Sequence, residues 1–403
     1  MVGGLRGTST GTPLRVTFVG HTWHSGVCYG RHVSYGSTAS RKAADPRKSA
    51  RVEHGLVSNT LTSKEIIARL IELKTVPRQP VSLLSAGAWT LNQSGLTLEQ
   101  ALSVSPERFA QVLADTNERV GCDIVWPGSG FHNLAIRGIG GHIKFRVKGT
   151  PDVMEALLHG DCKADKPPTA KVQEDPGVRL LVEATRILSR TIGDRTVVGT
   201  SQWAPFTLAG LVYGVEELLR GMRRNPSAVH AVMEYASELC FDYLEPFIEA
   251  GVAMISLADP TASGDLISRD QFAEFALPHL RNVAQRIRQR GVWVLVHICG
   301  NTTTRLDLIP GSGAQIMSVD YKVQLSRARE ILGSKLAFAG NLNPVTIMQK
   351  ESPDGVAAAT RNAIEAARGA AGGYLLMPGC DIPPSVPFEN VKSMVETAHA
   401  VRN

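Results

Sequence analysis

Beyond about residue 60 the chain alternates between two hydrophobic patterns. Short apolar runs fall at Val81–Ala86, Cys122–Trp126, Thr196–Gly199, Val252–Leu257, Val292–His297, Gln315–Val319, Lys335–Ala339 and Gly373–Met377. Between them, Leu208–Met222, Ala228–Phe247, Arg269–Arg288, Ser326–Leu332 and Asp354–Ala367 repeat apolar residues at helical spacing. Short continuous apolar runs are strands covered on both faces, and their regular exchange with helices builds a parallel sheet. The eight runs predict a closed (β/α)8 TIM barrel rather than an open doubly wound sheet, because no Gly-rich phosphate-binding turn follows a strand. Thr62-Ser63-Lys64-Glu65 is a capping-box pattern ahead of the amphipathic Ile66-Ile67-Ala68-Arg69-Leu70-Ile71, so order is expected from there on. After the second strand, His142-Ile143-Lys144-Phe145-Arg146-Val147 alternates as a hairpin would, and the long interval around it is expected to cover one side of the barrel mouth.

Residues 1–60 lack that order. They are rich in Gly, Ser, Thr and Arg, with Arg15–Val19 as the one strand-like piece, and read as a flexible basic extension ahead of a single barrel domain, 61–403. An Arg-rich, acid-poor start also resembles an organelle presequence. His21, His24 and His32 with Cys28 match no zinc spacing. The net charge of +6 changes meaning here: residues 1–55 hold eight Arg and Lys against Asp45 and Glu53, which carries the whole excess. The balanced remainder gives no reason to expect a nucleic-acid partner. Six scattered cysteines and the lack of a long apolar stretch lead us to expect a reducing, cytoplasmic setting with no membrane span.

The candidate chemistry sits where the fifth strand ends. Val292–Ile298 delivers His297 and Cys299 two residues apart, on the same side of an extended chain. A divalent ion such as Zn2+ takes imidazole nitrogen and thiolate sulfur, and three protein ligands plus an open position mark a catalytic zinc. Cys380, just past the last apolar run, offers the third ligand. A His-x-Cys pair alone reads first as a core histidine beside a buried thiol, and the distant cysteine changes that only if the fold brings it close. A barrel makes that testable, since polar residues after each strand should share one mouth. They are Trp126 and Ser129, Gln202 and Trp203, Asp259, His297 and Cys299, Asp320, Asn341 and Asn343, and Cys380.

These residues carry a resemblance. His297-x-Cys299-Gly300-Asn301, Asp259-Pro260, Phe272-x-x-Phe275-Ala276-Leu277-Pro278, Pro205-Phe206-Thr207-Leu208-Ala209 and Gly379-Cys380-Asp381-Ile382-Pro383-Pro384 look like the uroporphyrinogen decarboxylase superfamily, and within it the methylcobamide:coenzyme M methyltransferase branch. The resemblance runs from about Leu61 to the end. It implies zinc held by His297, Cys299 and Cys380, with Asp320 as a further carboxylate ligand or else a cap on the following helix. It implies that the zinc activates a thiol acceptor, coenzyme M or a related molecule, for methyl transfer from a methylcobamide on a small corrinoid-binding protein. Asp259 is expected to contact acceptor or cofactor or to organise its own turn. Asn301 and Asn343 are expected to orient ligands, and Trp126 and Trp203 to face the corrin.

Two other readings stay open. A metal-free porphyrinogen decarboxylase must bind a polycarboxylate, which the superfamily does with an arginine-containing motif after the first strand. Here that region reads Ser85-Ala86-Gly87-Ala88-Trp89-Thr90-Leu91-Asn92-Gln93-Ser94, without an arginine. A non-catalytic corrinoid or tetrapyrrole binder with structural zinc would instead bury the ion under four protein ligands.

Overall fold

The structure is a computed structural model that describes residues 61–402 apart from 85, 148, 160–166 and 371–372. The expectations for residues 1–60, including the histidine group and Cys28, lie outside the described residues. The first described helix opens on the expected capping box: Thr62 Oγ1 accepts from the Glu65 N–H at 3.2 Å, and the Glu65 carboxylate accepts from the Thr62 N–H at 2.7 Å. Helix Ser63–Ile71 follows.

Strand β1 (Ile124–Val125) is followed by the expected inserted hairpin, β2 (Ile143–Lys144) against β3 (Asp152–Val153), antiparallel. Then come β4 (Val197–Trp203), β5 (Met254–Ala258), β6 (Trp293–Ile298), β7 (Ile316–Val319), β8 (Ala337–Leu342) and β9 (Tyr374–Pro378). These six join β1 in one parallel sheet, ordered as in the chain. The eighth place in the ring belongs to the first expected strand, reduced to a bridge. The Leu376 N–H donates to Pro80 O and the Ser82 N–H to Leu376 O, both at 3.0 Å, while the Asp123 N–H donates to Val81 O at 2.9 Å. Pro80 has no N–H with which to extend that ladder, and helix Gly87–Asn92 starts soon after.

Side chains alternate across this wall. Ile124, Trp126, Val197, Met254, Leu295, Ile316, Ala337, Ala339, Leu375 and Met377 form an inner core, and Ile67 and Leu70 of the first helix pack into it. The residues between them in sequence, such as Val198, Ile255, Val294, Val296 and Met317, belong to a larger outer core shared with the helices. Leu208–Met222, expected as one helix, is two: Pro205–Tyr213 and Val215–Arg224. The break is at Gly214, whose φ of +91° leaves the right-handed region.

Asp123, fully buried, ties the start of β1 to its surroundings. It accepts from both Arg78 guanidinium nitrogens, at 2.5 and 3.0 Å, and from the Val81 N–H at 2.8 Å. Burial by itself would raise the Asp123 pKa. His399, 3.6 Å away, and Arg78 outweigh it and hold the pKa at about 2.

Candidate metal centre at the strand ends

Inward alternation along β6 carries from Leu295 to His297, the last inward position before the chain leaves the sheet. In the parallel register His297 lies beside Ala258 of β5 and Ser318 of β7. Neighbours in register share a face, and the Ser318 Oγ is 3.0 Å from His297 Nδ1. That contact leaves Nε2 to face the cysteines. Nε2 is 3.1 Å from Cys299 Sγ, and Cys299 Sγ is 3.4 Å from Cys380 Sγ. The three donor atoms all lie within 4.8 Å of one another. His297 is buried and both thiols are half-buried, so the cluster sits at the rim of the barrel.

Cys380 comes to the group because Gly379 lets the chain pass close to the β7 loop. A Cβ on Gly379 would lie 2.5 Å from Tyr321 N, and its N–H donates to Leu342 O at 2.7 Å. On the other side, Gly300 at φ +78° turns the chain away directly after Cys299.

The two thiols divide their protons unequally. The hydrogen bond from Cys299 holds Cys380 toward the thiolate against the opposing effect of burial, with His297 adding to it. The same hydrogen bond and burial, followed by the charges of Cys380, Asp320 and Asp381, push the Cys299 thiol up. Both sulfurs thus stand within reach of the imidazole and of each other. The donor set fits zinc: Zn–S distances of about 2.3 Å at tetrahedral angles put sulfurs about 3.8 Å apart, within a few tenths of the separation seen. Two thiolates and a neutral imidazole also cancel a double positive charge.

The other expected site residues are spread more widely. Asp320 is buried beside the cluster but outside the three-donor group, and its Oδ1 accepts from the Lys322 N–H at 2.9 Å, a turn cap. Asp259 is buried and receives the Thr207 N–H and hydroxyl, each at 2.7 Å, so it ties β5 to helix Pro205–Tyr213. Burial raises its pKa to about 7 in spite of those bonds. Its own N–H donates to His297 O at 2.8 Å, so it touches the metal centre through the backbone.

Three of the expected residues are engaged by their own surroundings. Trp126 does not face the mouth: it fills the barrel interior, and its Nε1 donates to Ser82 Oγ at 3.1 Å. The Asn301 carboxamide oxygen accepts from the Thr303 N–H, and that of Asn343 from the Val345 and Thr346 N–H groups, so both cap local turns. Trp203, by contrast, stands half-buried at the end of β4 with its ring over His132. Ser318 and His132 escaped the sequence reading. Ser318 had a signal, since it stands in phase with inward Ile316 one strand from His297; His132, in an irregular segment, had none.

Comparison with known proteins places this geometry. A family model for uroporphyrinogen decarboxylase matches residues 62–401. The chain belongs to the uroporphyrinogen decarboxylase family. Within the family it is 31% identical over 221 residues to a methylcobamide:CoM methyltransferase of Methanosarcina acetivorans, covering 55% of this chain and 63% of that protein. The match thus spans under two thirds of that relative's length. A uroporphyrinogen decarboxylase of Syntrophotalea carbinolica is 26% identical over 345 residues, 81% of this chain and 94% of its own. Among solved structures, a methyltransferase from Methanosarcina mazei shares the fold, with a TM-score of 0.76 at 23% identity over 84% of this chain and 98% of that one. Among the described residues, no helix is long and apolar enough to cross a membrane.

Proposed function

We propose that this protein is a zinc-dependent corrinoid methyltransferase, which moves a methyl group from a methylcobamide on a small corrinoid-binding protein to a thiol of the coenzyme M kind. The observation that carries this is the convergence of His297, Cys299 and Cys380, from strand ends three places apart in the ring, within 4.8 Å at the mouth. A decarboxylase working on the substrate's own carboxylates has no use for such a set. The 31% identity to a methylcobamide:CoM methyltransferase supports the same reading.

In this scheme His297 Nε2, Cys299 Sγ and Cys380 Sγ hold the ion. When bound, the zinc supplies Lewis acidity that lets an acceptor thiol be a thiolate at neutral pH. The chain's residues then do four things. Ser318 fixes the His297 tautomer and ring. Burial of His297 keeps water from competing at the imidazole. Asp259, through its N–H, pins the His297 backbone to β5. The half-buried thiols leave the outer side of the site open to a guest sulfur. Transfer forms an S–C bond and breaks the Co–C bond, the electron pair staying on cobalt and the thiol proton passing to solvent.

A decarboxylase reading has one observation in its favour, the longer alignment to the Syntrophotalea protein. One experiment separates the two. Zinc-loaded protein incubated with methylcobalamin and coenzyme M should bleach the methylcobalamin band, and Cys299→Ser or Cys380→Ser should lose both zinc and bleaching. Metal-independent release of carbon dioxide from uroporphyrinogen, with no bleaching, overturns the proposal.

A further inference from the structure

The mouth holds a second built feature, which the transfer scheme has not used. Trp203 ends β4 in register with Ala258, and Ala258 is in register with His297. Strands are spaced about 4.8 Å apart, so the Trp203 and His297 backbones stand about 10 Å apart on the same inward face, with only a methyl group between them. The indole is held from two directions. Its Nε1 donates to Asn133 Oδ1 at 2.7 Å. Its ring lies over the His132 ring, centroids 4.4 Å apart and planes 33° apart. His132 is itself fixed, its Nε2 being 2.8 Å from Ser201 Oγ. Asn133 is in turn anchored to the inserted hairpin, since its Nδ2 donates to Pro151 O at 2.7 Å.

An aromatic side chain locked this firmly, yet still half-exposed at the rim, is preorganised for a flat partner. His132 is 3% exposed, and burial lowers its pKa to about 4, so the ring beneath the indole is neutral. A neutral, polarisable pair suits a large, weakly charged macrocycle face better than an ionic tail. The acceptor thiol is not that partner, because its place is at the ion held by His297, whose backbone stands about 10 Å from that of Trp203 across Ala258.

Resting on the corrinoid reading above, we infer that Trp203, packed at a tilt against His132, is the platform on which the corrin ring of the methyl donor lies, with Asn133 and Ser201 as positioning residues. Ala258 is then the gap that lets the ring extend over the site toward the thiols. The hairpin anchor at Asn133 makes the inserted segment part of the corrinoid side of the mouth.

The test measures binding apart from turnover. Zinc-loaded full-length protein is dialysed to equilibrium against hydroxocobalamin and, in a parallel arm, against coproporphyrin. Wild type should bind the corrinoid. Trp203→Ala should bind it at least tenfold more weakly, Trp203→Phe should regain most of the loss, and Asn133→Ala, which frees the indole nitrogen but keeps the ring, should fall between. Zinc content and the KM for the thiol should stay within twofold in all three. Unchanged hydroxocobalamin affinity in Trp203→Ala, or binding of coproporphyrin alone, overturns the platform. Should Trp203→Ala fail to fold, Asn133→Ala with wild-type affinity overturns it equally. Wild type that binds hydroxocobalamin but never demethylates methylcobalamin keeps the platform and removes the transfer reading; full turnover with affinity untouched by Trp203→Ala does the reverse.

Discussion

Ser318→Ala removes one oxygen and should weaken zinc binding strongly. In the proposed zinc-bound state Nε2 of His297 would be the ligand, so Nδ1 would carry the proton and donate it to the Ser318 Oγ 3.0 Å away. His297 is 2% exposed, so bulk water cannot replace the lost hydroxyl. A buried polar group left without a partner costs about 1–3 kcal/mol. The metal-free ring can relieve part of that cost by changing tautomer toward Cys299, 3.1 Å from Nε2, whereas the metal-bound ring cannot. Loss of such a partner generally lowers metal affinity by about 10–100-fold, or about 1.4–2.8 kcal/mol. Competition between metal-free protein and a chromophoric chelator for zinc reads the change directly. Ser318→Thr, which keeps the hydroxyl, should recover most of it. A Ser318→Ala dissociation constant within twofold of wild type would show that the serine does not orient the imidazole.

Other expectations follow from the same geometry. Gly379→Ala sets a methyl group 2.5 Å from Tyr321 N, so the backbone must move and carry Cys380 away; zinc content measured after dialysis should fall well below one ion per chain, and an unchanged content would refute the close-approach argument. Asp123 has a folded-state pKa of about 2, below its ordinary value, so its contribution is present above pH about 4 and is lost as pH falls toward 2. A shift of that size corresponds to about 2 kcal/mol. Urea unfolding of wild type should therefore lose about that much across the window, while Asp123→Asn, less stable at neutral pH, should show a flatter acid limb; parallel acid limbs would contradict the assignment.

The strand-to-helix alternation was legible because buried parallel strands must be apolar on both faces, and β4 to β9 lie where the apolar runs stand. The runs could not show that the first strand shrinks to a bridge at Val81, since apolar character measures burial and not hydrogen bonding. Gly214 was a visible clue to the broken helix, but a lone glycine within helical periodicity is ambiguous until its φ is known. His297 and Cys299 were readable from two-residue spacing, whereas Cys380 depended on ring closure. Trp126 and Trp203 look alike as aromatics near strand ends. They part because β4 runs on to Trp203 at the rim while Trp126 directly follows the short β1, deep enough to be swallowed by the barrel interior. Asn301-Thr302-Thr303 and Asn343-Pro344-Val345 carried a turn-capping pattern, and both carboxamide oxygens make those turn bonds.

A three-donor zinc with room for a guest sulfur is tested most directly by X-ray absorption at the zinc edge. Zinc-loaded protein should show two sulfurs at about 2.3 Å and one nitrogen at about 2.0–2.1 Å with a further light atom, and added coenzyme M should replace that light atom with a third sulfur. A closed shell of four protein ligands that ignores the thiol, or a protein that binds no zinc, would contradict it.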